Sequence, residues 1–238
     1  MPMILGQLLL ITVIGYLWGS IPAGYWMGKL LRGKDFDIRD YGSHKIGATN
    51  VLRTLGRVPA LIVLVFDLLK GVGPTLLASL VPFFYVSGWG PTLAALAALL
   101  GHCFPVFIGF KGGRGVLTGA GALLVISPIA FLVATGVTIG TIAISRYVSL
   151  GSILGSLGSI ICGIIFFFVG QINPAFFGKV SLAQMVFMVV GPALVILFHY
   201  DNIGRLLSGK ERKIGQKVNV EEGAPSPNSA SRASNTQA

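Results

Sequence analysis

The chain has 238 residues, 53% of them hydrophobic and only 11% charged, with a formal net charge of +10. A mean hydropathy of +0.80, set against the roughly 25% charged residues of ordinary soluble domains, excludes a soluble globular fold and points to an integral membrane protein. The positive residues sit at the ends of apolar segments and not in a soluble basic face, so they serve topology and anionic small molecules better than nucleic acid.

Residues 1–28 contain no Asp, Glu, Lys or Arg. A helix needs about 20 apolar residues to span a bilayer. This window lacks a positive start and a small-residue cleavage site, so it is expected as a retained anchor and not a signal peptide. From Lys29 to Arg57 there are seven Lys/Arg against three Asp, which assigns that loop to the cytoplasm and the N-terminus to the outside. The second crossing, about 58–82, carries Asp67 and Lys70 three apart, expected as a structural pair on one helix face. Ser87-Gly88-Trp89-Gly90-Pro91 is a charge-free turn into a third helix, which returns to a loop holding Lys111 and Arg114.

Residues 115–145 form one uncharged window, and the tail from 201, with six Lys/Arg against four acids, belongs inside. Parity then requires two helices broken at Ser127-Pro128, because Pro ends helices and disfavours α geometry in the residue before it. A sixth helix over about 148–170, a turn at Asn173-Pro174 and a seventh over about 181–200 complete an all-α, polytopic fold of about seven transmembrane helices, with a cytoplasmic C-terminus. The 115–127 helix covers only about 20 Å of a roughly 30 Å core. A five-helix count with one window interfacial is the alternative. Gly136/Gly140 and Gly151/Gly155 have the spacing of close-packed membrane helices. Residues 1–215 read as one membrane domain, and 216–238, rich in Ser, Asn, Ala, Gly and Pro, as a disordered cytoplasmic tail.

Three polar clusters interrupt this apolar chain. In Gly42-Ser43-His44-Lys45-Ile46-Gly47-Ala48-Thr49-Asn50-Val51-Leu52-Arg53, hydroxyl and amide groups surround two cations. Arg53 can grip a phosphate bidentately while Ser43 and Asn50 donate to its oxygens; a helix N-cap by Ser43 or Thr49 is the structural alternative. Asp37 and Arg39, two apart, are expected to brace this loop. In Phe110-Lys111-Gly112-Gly113-Arg114-Gly115 the glycines would let the backbone turn its N–H groups inward as an anion nest, with two cations at the start of a helix. A flexible positive-inside loop is the plainer reading, and no GxxxxGK[ST] supports nucleotide hydrolysis. In the third cluster His199 and Asn202, three apart, would share one face of a continuing helix, followed by Arg205, Glu211 and Lys213.

The chain has no GxSxG, no HExxH and no His followed five residues later by Asp, which removes serine-hydrolase, zinc-protease and common His/Asp acyltransferase chemistry. Cys103 and Cys162 are isolated, with no CxxC, and imply neither a disulfide framework nor a metal site. His102 and Cys103, as helix neighbours, diverge and do not form a catalytic pair. No cofactor is expected.

These motifs, together with Gly19-Ser20-Ile21-Pro22, resemble the bacterial membrane acyl-phosphate:glycerol-3-phosphate acyltransferases (PlsY) over nearly everything but the tail. The resemblance implies transfer of a long acyl chain from acyl phosphate to the 1-hydroxyl of sn-glycerol 3-phosphate, giving lysophosphatidate and phosphate. It also implies a site on the cytoplasmic side of the bacterial inner membrane and, as a partner, the upstream enzyme that makes acyl phosphate. It places catalytic roles on Ser43, His199 and Asn202, with His199 either a general base on the acceptor hydroxyl or a binding group while substrate phosphate takes the proton. Substrate binding falls to Ser43, Arg53, Asn50, Lys111, Gly112, Gly113, Arg114 and Gly115. Family members commonly have Gly-Asn at His44-Lys45 and Lys at Arg114; the second change keeps the charge, and His44 is not expected to be catalytic. A transporter using Asp67 and Lys70, or an enzyme using acyl-CoA or acyl carrier protein, are the rival readings.

Overall fold

The computed structural model describes residues 1–216, so the expectation of a disordered tail over 216–238 falls almost wholly outside the described residues. Helix α1 spans Pro2–Gly19, α2 Ala23–Arg32, α3 Ala48–Thr54, α4 Arg57–Leu80, α5 Pro82–Tyr85 and α6 Trp89–Cys103. Then come α7 Val116–Ile126, α8 Pro128–Ser145, α9 Val148–Ile172, α10 Pro174–Phe177, α11 Leu182–Leu197 and α12 Tyr200–Leu207. Among the described residues five segments are long and apolar enough to cross a membrane: Pro2–Arg32, Arg57–Leu80, Pro82–Ile108, Pro128–Ser145 and Val148–Ile172. A sixth is the pair α11–α12 if its 57° bend is taken within one span, and α7 is a shorter apolar helix. The protein is an all-α polytopic membrane protein.

Small residues set how closely these helices approach, since lipid offers no hydrophobic drive between them. A Cβ on Gly15 of α1 would lie 2.6 Å from the Ala94 carbonyl of α6, and one on Gly19 would overlap the Ala98 carbonyl. Gly71 of α4 presses in the same way on the Thr118 carbonyl, and Gly121 of α7 on the Leu68 carbonyl. Thr118 Oγ1 donates to the Asp67 carbonyl at 3.0 Å across this α4–α7 seam. Gly151 and Gly155 of α9 pack on Thr138 and Ile142 of α8, as their spacing predicts. Gly136 and Gly140 do not: nothing lies within 4 Å of a Cβ at either. The reason is rotational, because Ala134, Thr138 and Ile142 form the stripe that meets α9 and positions two residues away point to the opposite side of α8.

The predicted break is present. Ser127 Oγ accepts from the Ala130 N–H at 3.4 Å, and Pro128 occupies the first turn of α8. Its partner α7, with 11 residues, is only about 16 Å long. Asp67 and Lys70 form a buried ion pair at 2.5 Å, each side chain 3% exposed, which agrees with the structural role expected for them. Removing one partner leaves the other charge buried alone. Lys70→Met is therefore expected to destabilise the protein by about 3–5 kcal/mol. Asp67→Asn/Lys70→Met should recover most of that loss, measured as thermal midpoints in one detergent.

Candidate active site

The first polar loop is built around one amide. Asn50, 1% exposed, accepts from the Ser43 N–H at 2.9 Å and donates to the carbonyls of Ile38 (3.1 Å), Tyr41 (3.1 Å) and Lys45 (2.9 Å). Both ends of its side chain are thus committed to the loop, so Asn50 shapes the site and does not present itself to a ligand, a correction to its expected substrate contact. Gly47, not Ser43 or Thr49, is the N-cap of α3, and no side chain caps that helix. The Ser43 hydroxyl, half-buried, has no hydrogen-bond partner among the described residues. His44 adopts φ 55° and its Nδ1 lies 2.8 Å from the Arg39 carbonyl, which ties it to the loop's own backbone. Arg39 braces as expected. Its guanidinium binds the Asp37 carboxylate at 2.6 Å, lies over the Tyr25 ring and donates to the Ile108 carbonyl at 2.8 Å, joining the first loop to the second.

The glycine loop departs from the anion nest read in the sequence. The N–H groups of Gly112 and Gly113 donate to the carbonyls of Cys103 (3.1 Å) and His102 (3.0 Å). They satisfy orphan carbonyls at the end of α6 and leave no donor for a ligand. Gly115, at φ +79°, is the N-cap of α7; the N–H groups of Lys111, Arg114 and Gly115 make no hydrogen bond among the described residues and, with the first turn of that helix, are the free backbone donors here. Lys111 is exposed and has no partner among the described residues. Arg114 is not free: it donates to Asp201 Oδ2 at 2.7 Å, joining the second cluster to the third.

The third cluster does not sit on one continuing helix. The chain bends 57° between α11 and α12, and His199, at the N-cap of α12, and Asn202 are both buried at the bend. His199 Nδ1 is 2.7 Å from the Val195 carbonyl. A carbonyl only accepts, so in the neutral ring Nδ1 carries the proton and Nε2 presents a lone pair. Asn202 Nδ2 donates to Glu211 Oε1 at 2.8 Å, and its Oδ1 is buried without a hydrogen-bond partner among the described residues.

Glu211 organises this cluster, although the sequence placed it only as a residue following the motif, with no role. Its carboxylate accepts from Asn202, from Ser149 Oγ of α9 at 3.0 Å and from Arg205 Nε at 2.8 Å. Burial alone would raise its pKa, but these hydrogen bonds and the Arg205 charge outweigh burial and hold it below its ordinary value. Asp201 acts in parallel, taking Arg114 at 2.7 Å and Arg205 at 3.2 Å. The available signal was an acid set inside the basic run Lys210-Glu211-Arg212-Lys213.

Arg53 closes the ring of loops. Its guanidinium reaches the Arg212 carbonyl at 3.5 Å. Burial first, and then the charges of Arg212, Arg114 and Arg205 against the single relief of Glu211, lower its pKa. An uncompensated guanidinium in this setting is a ready anion site. A cleft lined mainly by apolar groups lies between α7, α8, α9 and α11. Val116, Leu123, Phe131 and Val195 are among the residues that line it. The hydroxyls of Ser152 and Thr138 on its walls donate to the carbonyls of Val148 and Ala134. Among the described residues no group of three or more His, Cys, Asp or Glu could hold a metal ion.

A family model described as glycerol-3-phosphate acyltransferase matches residues 9–209. The chain is 41% identical over 224 residues to glycerol-3-phosphate acyltransferase 3 of Dehalococcoides mccartyi, covering 90% of this chain and 99% of that one. It is 42% identical over 217 residues to the glycerol-3-phosphate acyltransferase of Parasynechococcus marenigrum, with 91% and 94% covered. Its fold is similar to crystal structures of PlsY (YgiH), an integral membrane glycerol 3-phosphate acyltransferase. The glycerol 3-phosphate form gives a TM-score of 0.75 at 38% identity, covering 87% of this chain and 96% of that chain. The lysophosphatidic acid form gives 0.72 at 36%, with 88% and 96% covered.

A carboxyl whose pKa is depressed on folding contributes stability above its unfolded value, and that contribution is lost as pH falls through the lowered folded value. The Glu211 cluster should therefore loosen in acid, below about pH 4.5. Glu211→Gln should flatten that part of the stability–pH curve, read from thermal midpoints between about pH 3 and 7.

Proposed function

This chain belongs to the glycerol-3-phosphate acyltransferase family, and on that premise we propose that it transfers a long acyl chain from acyl phosphate to the 1-hydroxyl of sn-glycerol 3-phosphate. The products are lysophosphatidate and inorganic phosphate, the first step of phospholipid synthesis. One observation carries the reading: in a guanidinium cluster whose acids Asp201 and Glu211 bind Arg114 and Arg205, Arg53 has no carboxylate partner among the described residues, and a mainly apolar cleft is lined from Val116, two residues beyond Arg114. Phosphate belongs in the first and an acyl chain in the second. The same reading takes seven segments across the bacterial inner membrane, α7 being the short one. The N-terminus is then outside and the three loops and C-terminus are cytoplasmic, in keeping with where Lys and Arg concentrate. The enzyme that makes acyl phosphate is the proposed supplier of the donor.

Arg53 and Lys111 hold the substrate phosphates, with the Ser43 hydroxyl donating to a phosphate oxygen and the first turn of α7 adding backbone donors. Arg114, already spent on Asp201, contributes charge and fixes the third cluster. The acceptor hydroxyl donates to His199 Nε2 and its oxygen attacks the acyl carbonyl. The carbonyl carbon's bond to the phosphate oxygen breaks, and phosphate leaves with the electron pair while the hydroxyl proton moves to Nε2. Asn202 Oδ1, buried and unpaired, accepts from a second hydroxyl of the acceptor and sets its orientation. Because the donor is a mixed anhydride with a good leaving group, positioning and charge stabilisation supply most of the acceleration. No covalent Ser43 intermediate is needed.

The reading is tested with purified protein, radiolabelled glycerol 3-phosphate and, in turn, acyl phosphate, acyl-CoA and acyl carrier protein as donors. Product from acyl phosphate alone is expected; product only from a thioester, or none, contradicts it. His199→Ala should lower kcat by about 10²–10⁴-fold in a folded protein. Ser156→Phe, which narrows the cleft, should shift preference toward shorter acyl phosphates; an unchanged chain-length profile would remove the chain from that cleft.

A further inference from the structure

Gly113 is not in the left-handed region of backbone space, so its conformation does not demand glycine. What forbids a side chain there is His102. A Cβ at 113 would overlap Nε2 of that imidazole and lie 2.8 and 2.9 Å from its Cδ2 and Cε1, and these are the three nearest atoms. The backbone of the same histidine holds Gly113 from the other side, its carbonyl accepting the Gly113 N–H at 3.0 Å. Gly112 differs, because its Cβ would meet the carbonyls of His102 and Cys103, which cannot yield.

The ring is fixed from below. His102 is 4% exposed, and its Nδ1, without a hydrogen bond, faces Asp67 Oδ1 at 3.6 Å. Asp67 is neutralised by Lys70, and its carbonyl takes the hydroxyl of Thr118 in the first turn of α7. One residue of α4 therefore meets both ends of the segment from His102 to Thr118, by a 3.6 Å contact with the His102 ring and a hydrogen bond from Thr118, and this is the segment that carries Lys111 and Arg114. We propose that the buried Asp67–Lys70–His102 cluster is a positioning unit for the glycine loop, and that Gly113 is glycine because the His102 ring occupies the space of its side chain.

This rests on the reading of that loop as part of a phosphate-binding site, and a second-site test separates the two. Gly113→Ala should push the loop off the ring and raise KM for a phosphate-bearing substrate by about tenfold, inside the ~10²-fold that a 1 Å misplacement can cost, with kcat changed less. His102→Asn keeps an amide toward Asp67, leaves the charge pair intact and opens the space. Adding Gly113→Ala to it should then move KM by no more than about twofold. Thermal midpoints should follow the same pattern, and they report the coupling even if the wild-type protein yields no acyl product, the result that would defeat the functional reading alone. His102→Ala/Gly113→Ala is the second combination should the asparagine variant not fold. The proposal is overturned if Gly113→Ala behaves as wild type. It is equally overturned if neither His102 substitution suppresses it in either readout, since the glycine would then be required by the ligand and not by the ring.

Discussion

Four guanidinium groups, from Arg53, Arg114, Arg205 and Arg212, gather at one end of the bundle, and the acids facing them are Asp201 and Glu211. Like charges brought together in a partly buried place repel strongly unless paired. The two carboxylates are divided unevenly: Asp201 binds Arg114 and Arg205, Glu211 binds Arg205 again, and Arg53 is left with a distant backbone carbonyl. The pairing that holds three chain segments together thus also leaves Arg53, half-buried, and Arg212, exposed, without a carboxylate among the described residues. On the proposed function an incoming phosphate would complete the charge balance of the cluster, so that binding and assembly of the site draw on the same electrostatic deficit.

Around that deficit the chain provides rigid supports. Asn50 commits four hydrogen bonds to the first loop, Arg39 fastens that loop to Ile108 of the second, and Glu211 reaches Ser149 on α9 as well as Asn202. Each is a buried or half-buried polar group with its partners supplied, the condition under which such groups specify geometry. Close helix contacts through Gly19, Gly71 and Gly121 carry that rigidity into the membrane-spanning segments. The small-residue walls of α7 and α9 leave a cleft that starts where the polar groups end.

Much of this was legible in the sequence, for identifiable reasons. Uncharged windows locate the apolar helices because lipid penalises charge, though five or six of the expected seven are long enough to span among the described residues, and Pro128 marked its break because proline cannot continue a helix. The ion pair of Asp67 and Lys70 followed from a three-residue spacing. What failed depended on direction in space. Residues 112 and 113 looked like an anion nest because glycines permit one, yet their N–H groups close the end of α6. Nothing local records that choice. Gly136 and Gly140 share the spacing of Gly151 and Gly155 but face away from their neighbour. His199 and Asn202 come together through a bend and not along one helix, and Glu211 gained its importance from Ser149, 62 positions earlier.

The central claim is that Arg53 stands uncompensated so that a phosphate can bind among the three loops. Calorimetric titration of the purified protein with glycerol 3-phosphate, and with glycerol as the uncharged control, tests it directly. The account predicts one saturable site for glycerol 3-phosphate that weakens with added salt, none for glycerol, and loss of the site in a folded Arg53→Ala variant. Binding of glycerol 3-phosphate to that variant as tight as to the wild type would contradict it.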